Sequence, residues 1–340
     1  MPRGTASRFS VVAVALLAVS ALAFYLSLTN GTFDISVAEV FKTLLRIDAN
    51  PDFELVVFEF RLPRIVLGAL VGFALGIAGS VIQGVTRNAL ADPGILGINA
   101  GAGMAVVLYM LVFQGSTDMT DWLGIYAMPL FGLAGGLTAT ALIYMLARSE
   151  GRIDPQRLIL VGIALASGFG AVSTFLSLKM NANDYEMAAV WLAGSIYSAN
   201  WPFVKMVLPW LLVFVPLLWW RARVLDLFQL EESSTRGLGV RIERERNWLL
   251  LGSIGLVSAS VAVSGSIAFV GLIAPHMARR MVGLQHRLSL PASGLAGMAM
   301  VLVGDFIGKT VFAPAQLAVG IVISIIGVPY FVYLLFKTTR

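Results

Sequence analysis

The sequence predicts an all-α, polytopic membrane protein with about ten transmembrane helices and both termini on the cytoplasmic side. Three observations carry that prediction. Of 340 residues, 58% are hydrophobic and 13% charged, and mean hydropathy is +0.85; ordinary globular domains are about a quarter charged. Apolar stretches long enough to cross a bilayer, roughly 20 residues each, recur from Phe9 to Phe336. With the N-terminus inside, 17 of the 24 Lys and Arg residues fall on the inner side, leaving Lys42, Arg46, Arg61, Arg64, Lys179, Lys205 and Lys309 outside, as the positive-inside rule requires. The net charge of +5 is therefore topology, and nucleic acid is no partner. The absence of cysteine excludes a disulfide framework, an iron–sulfur cluster and thiol catalysis. Two histidines, His276 and His286, make no multi-histidine metal site.

The first span, about 9–28, follows Arg3 and Arg8 and ends in Ala21-Leu-Ala23, which also resembles a cleaved signal peptide. Removing it would leave nine spans and turn the basic loops outward, so it reads as a retained helix. The second, 63–84, carries Gly68, Gly72 and Gly76, a smooth groove for another helix. The third (94–114) and fifth (157–178) follow Asp92-Pro93 and Asp154-Pro155, each an N-cap acceptor before a proline suited to the first helical position. The fourth (124–147) and sixth (201–220) are apolar runs. Between the fifth and sixth, 187–200 is semi-apolar and reads as an interfacial or re-entrant piece. The seventh (248–265) and eighth (267–283) share one apolar stretch broken by Gly265 and Pro275. The ninth (289–309) repeats the glycine spacing at Gly304 and Gly308, and the tenth covers 314–336.

The longest inner loop, about 221–247, stands apart. Leu225, Phe228 and Leu230 beside Glu231 and Glu232 suggest a short amphipathic helix; Ser233, Ser234 or Thr235 can cap a second, and Gly237 or Gly239 can turn the chain. A solvated connection and a docking element for a cytoplasmic partner both fit.

Gly304-Asp-Phe-Ile-Gly-Lys-Thr310 superficially resembles a phosphate-binding loop. Only three residues separate its glycines where four are needed, and Val303 occupies the first-glycine position. Polar side chains inside spans mark either a pathway or a satisfied packing contact: Gln83 and Asn99 foremost, then Ser167, Ser173, Thr174 and Ser177. No buried run of acids resembles a proton relay, which weighs against an ion-coupled secondary transporter. No catalytic constellation supports a membrane enzyme.

Three motifs, Arg61-Leu-Pro-Arg64, Gln83-Gly-Val-Thr-Arg-Asn-Ala-Leu-Ala-Asp-Pro-Gly-Ile-Leu-Gly97 and Phe269-Val-Gly-Leu-Ile-Ala-Pro-His-Met-Ala-Arg279, closely resemble the iron–siderophore and cobalamin permease family of ATP-binding-cassette (ABC) importers. The resemblance runs from about residue 55 to the end; Ala89 stands where that family usually has proline. It implies a type II importer permease of the cytoplasmic membrane, one transmembrane domain over 1–340, moving ferric siderophore, hydroxamate by preference, with haem, cobalamin and other iron chelates as alternatives. It further implies a second permease subunit, a different chain in preference to a second copy of this one, and two separate ATPase subunits that consume the ATP. An extracytoplasmic siderophore-binding protein completes the assembly. No cofactor is expected on this chain itself. Arg61, Arg64 and Lys309 fall on the family's docking positions for the binding protein, so Arg61→Glu with Lys309→Glu is expected to impair uptake without affecting insertion. Residues 226–241 match its coupling helices on the ATPase, with Leu225, Phe228, Glu231, Glu232, Ser234, Arg236 and Gly239 as contact residues.

Overall fold

The computed structural model describes residues 3–31, 33, 35–47, 50–113, 122–149, 152, 153 and 155–338; Asp154 and Arg340 lie outside them. The chain enters through α1 (Arg3–Thr29), then two short outer helices, α2 (Val37–Leu44) and α3 (Pro51–Glu54). A reciprocal capping box starts α2: the Ser36 hydroxyl accepts the Glu39 N–H and the Glu39 carboxylate accepts the Ser36 N–H. Those bonds hold the Glu39 carboxyl below the usual carboxylate range.

From α3 the helix continues through a π-helical segment, Leu55–Arg61, into α4 (Leu62–Thr86). Leu62 N–H reaches back to Val57, but Pro63 has no N–H to extend that pattern to Phe58. The Trp201 indole fills the vacancy, donating to the Phe58 carbonyl at 2.7 Å.

Next come α5 (Ile98–Phe113), α6 (Trp122–Leu146), α7 (Pro155–Ser177), α8 (Ala182–Leu192) and α9 (Trp201–Trp220). A two-residue antiparallel pair, β1 (Arg148–Ser149) with β2 (Arg152–Ile153), closes the α6–α7 turn. The semi-apolar 187–200 stretch thus becomes the end of α8 and an irregular outer link. On the inner side lie α10 (Ala222–Leu227) and α11 (Glu232–Gly237), followed by α12 (Ile242–Ser264), α13 (Val270–Val282), α14 (His286–Thr310) and α15 (Val319–Thr338).

Among the described residues, seven helices are long and apolar enough to cross a membrane, and α5 and α15 are shorter apolar helices. The eighth sequence span does not fit this pattern. With 13 residues, α13 rises about 20 Å, short of a hydrocarbon core of about 30 Å. Its far end is inner, since Arg8 donates to the Arg280 carbonyl at 3.5 Å. The α12–α13 turn at 265–269 therefore lies inside the membrane, and the pair enters and leaves on one side, so both termini stay inside. Irregular backbone at that depth must be satisfied by protein. Here the Ser264 carbonyl accepts Ser195 N–H at 2.8 Å, Ser266 Oγ accepts from Asn99 Nδ2 at 2.9 Å, and Asp92 accepts Phe269 N–H.

The centre is built by α4, α12 and α14, with Leu67, Val71, Ile82, Leu249, Leu256 and Leu290 fully buried. Along α4, the glycine groove receives α14 at backbone distance: a Cβ on Gly72 would lie 2.4 Å from the Gly297 carbonyl, and one on Gly76 2.1 Å from that of Ser293. In contrast, Gly304 and Gly308 face α15 and the segment before it. The outermost spans are α7, α1 and α9, of which α7 is the least covered.

Candidate functional site

At the outer end, α1, the π-helical segment, α4 and α14 surround a cavity of about 520 Å³ whose lining includes Arg61, Arg64, Tyr197, Asn200, Asp305 and Lys309. The sequence-named cations converge there. Arg61, only 8% exposed, donates to the Leu28 and Phe33 carbonyls at 2.6 Å each. Lys309 Nζ donates to the Ser27 and Asn30 carbonyls at 2.6 and 3.0 Å. The last carbonyls of a helix have no intrahelical partner and carry its negative dipole end; two cations therefore cap the exit of α1. A glutamate at either position would set a buried or half-buried carboxylate against those carbonyls, so the paired charge reversal perturbs folding as well as any outer contact.

Arg64 is held differently. Its Nε and Nη2 grip both oxygens of Asp305 at 2.8–3.1 Å, Nη1 reaches Gln316 Oε1 at 2.9 Å, and its guanidinium lies 5.6 Å from the Tyr197 ring centroid. That bidentate clamp leaves its exposed edge at the boundary with a neighbouring cavity of about 510 Å³, lined also by α8 and the 314–321 stretch. Asp305 is thereby the counterion of Arg64.

At the inner end, α10 and α11 form an anchored ledge. Leu225 and Phe228 are buried, so they fasten the segment to the helix bundle and are not part of its outward surface. The surface offered is Glu231, Glu232, Ser234, Arg236, Leu238 and Gly239, all exposed. Thr235 ties the two helices together through the Leu227 and Glu231 carbonyls. Glu232 and Arg236 form an exposed i,i+4 pair at 2.8 Å. Leu238, 63% exposed, was not singled out by the sequence, although an apolar residue between two turn glycines, Gly237 and Gly239, is an available signal.

Of the pathway candidates, Gln83 is buried and bridges α4 to α13. Its Nε2 donates to the Gly271 and Leu272 carbonyls at 3.3 Å, and its Oε1 accepts from Arg279. Asn99 holds the α12–α13 turn through Ser266. Ser173 is buried and bonds back to Phe169 at 2.9 Å. Ser167 alone of the four lies on the uncovered face of α7, beside Gly168 and Gly170, which have open space where a side chain would go.

Residues 16–337 match the FecCD transport family. The chain is similar to the iron-uptake system permease protein FeuC of Bacillus subtilis, 52% identical over 98% of each chain. It is 43% identical to the iron(3+)-hydroxamate import system permease protein FhuG of the same species, over 96% of each chain. The hemin transport system permease protein HmuU of Yersinia pestis is 34% identical over 87% of this chain and 88% of its own. Among solved structures, an inward-facing metal-chelate type ABC transporter aligns with a TM-score of 0.82 at 28% identity, covering 96% of this chain and 99% of that one.

Proposed function

The chain belongs to the FecCD transport family, and from that membership we propose that it moves ferric siderophore, a hydroxamate in particular, across the cytoplasmic membrane. It is a multi-pass, non-catalytic permease subunit of an ABC importer. The observation that carries this reading is the end-to-end likeness to iron-chelate permeases, 98% of both chains in the 52%-identical relative.

The finer assembly is our reading. Two ATPase subunits seat on α10 and α11, each permease contributing one ledge, and they hydrolyse the ATP, so this chain needs no cofactor. A siderophore-binding protein docks over the outer cavity. There Arg64 and Lys309 offer charge at the rim while Arg61 holds the rim's shape. Exposed pairs are worth about 0–1 kcal/mol each, so such contacts orient the partner and speed encounter more than they bind. A second, different permease chain covers the bare face of α7, and Ser167 on that face lines the path; Gln83 and Asn99 support it by holding the helices around it, while Ser173 bonds within α7.

Reconstitution in liposomes with the ATPase and binding protein tests this. Uptake of ferric hydroxamate is expected only with ATP inside and loaded binding protein outside. Haem, cobalamin and ferric citrate serve as competitors. Uptake driven by an ion gradient without ATP would overturn the reading.

A further inference from the structure

His286 is the first residue of α14 and is buried. One oxygen of Asp226, on α10, accepts the His286 backbone N–H at 2.9 Å and lies 2.7 Å from its Nδ1. A carboxylate only accepts, so the ring carries its hydrogen on Nδ1, and the negative charge sits at the positive end of α14. The opposite edge of the ring packs on α4: a Cβ on Gly84 would lie 3.0 Å from both His286 Nε2 and Leu225 Cδ2. One imidazole thus joins the inner ledge, the end of α4 and the start of α14. Two further bonds flank the joint, Arg87 Nη2 to the Leu230 carbonyl at 2.6 Å and Trp219 Nε1 to the Arg287 carbonyl at 3.1 Å.

Beyond the joint, α4 and α14 cannot slide independently. They touch backbone to backbone at Gly72 and Gly76 and are clamped at the outer end by Arg64 and Asp305. A displacement of α10 therefore reaches the outer cavity through a stiff two-helix unit. We propose that Asp226 and His286 are positioning residues of the transport cycle, transmitting movement of the ATPase-seated ledge into the α4–α14 pair. This rests on the reading that α10 and α11 seat on an ATPase.

The test measures chelate uptake and phosphate release in the same liposomes, using the complete transporter and the ferric chelate that wild type takes up. In His286→Ala, with the ATPase still co-purifying, uptake per ATP hydrolysed is expected to fall about tenfold, within the range of a coupling interaction. His286→Asn, whose amide can still donate to Asp226, is expected to recover most of the ratio. Asp226→Asn keeps the volume and one acceptor and is expected to show a smaller fall; it decides the matter should His286→Ala fail to assemble. A purely structural role lowers uptake and hydrolysis together, so an unchanged ratio in His286→Ala, or in Asp226→Asn should His286→Ala fail to assemble, overturns the proposal. A wild-type permease that retains no ATPase overturns the docking reading, and this inference with it.

Discussion

Removing the carboxylate of Asp305 isolates a cation at the outer cavity. In the native chain Arg64 makes three hydrogen bonds to that carboxylate, the shortest 2.8 Å, and the two side chains are 15% and 6% exposed. Breaking such a pair from one side costs about 3–5 kcal/mol, because a desolvated charge is left behind. Arg64 keeps its bond to Gln316 and some access to water, so Asp305→Ala is placed at the low end, about 3 kcal/mol. Removing both partners leaves no stranded charge. The double variant Arg64→Ala with Asp305→Ala should therefore fall short of the summed single effects by about 2 kcal/mol. Reversible denaturant unfolding of the four proteins in mixed micelles, followed by circular dichroism, supplies the cycle. Additive effects, or a single Asp305→Ala cost within about 0.5 kcal/mol of zero, would refute the clamp as the element that fixes Arg64.

The α4–α14 contact makes a size prediction. A methyl on Gly76 would lie 2.1 Å from the Ser293 carbonyl, so the helices must part by about an ångström at an overpacking cost of roughly 1–3 kcal/mol. In thermal unfolding of the purified subunit, Gly76→Ala should be clearly destabilised. Gly168→Ala, with open space around it, should be neutral or stabilised by up to about 1 kcal/mol; equal losses at both sites contradict the close contact. On the inner ledge, Leu238→Asp should abolish co-purification of the ATPase while leaving the Leu225 and Phe228 anchor and the unfolding temperature unchanged. Retained stoichiometric ATPase would remove Leu238 from the contact surface.

Much of this was legible in the sequence because the membrane simplifies the physics. Long apolar runs have one stable form in lipid, a helix, so all ten sequence spans appear as helices near their expected positions, though the eighth does not cross. The eighth misled because hydropathy measures how apolar a segment is, not how far it travels: Gly265 gives the turn and Val270–Val282 is too short to cross. The site was legible as residue types but not as partnerships. Arg61, Arg64 and Lys309 were found as outer cations, yet what they hold depends on α1 and α14, up to 282 positions away. Asp305 carries no role in the sequence reading because its partner is 241 residues distant. Leu225 and Phe228 looked like contact residues because an amphipathic pattern shows that a helix has two faces, without saying which meets the partner.

The turn within the membrane also sets an order of biogenesis. Within residues 264–269 the Ser264 carbonyl, the Ser266 hydroxyl and the Phe269 N–H find their partners outside the hairpin, in Ser195, Asn99 and Asp92. All three leave the ribosome before α12 does. The chain therefore builds a receptacle first and delivers the hairpin into it afterwards, while α13, with Arg279, Arg280 and a proline at 275, is poorly suited to insert alone. Emerging from the insertion machinery, it docks sideways onto α4, and α14 and α15 then close over its other side. For the polar partners of that turn, vectorial synthesis and structural dependence run in the same direction.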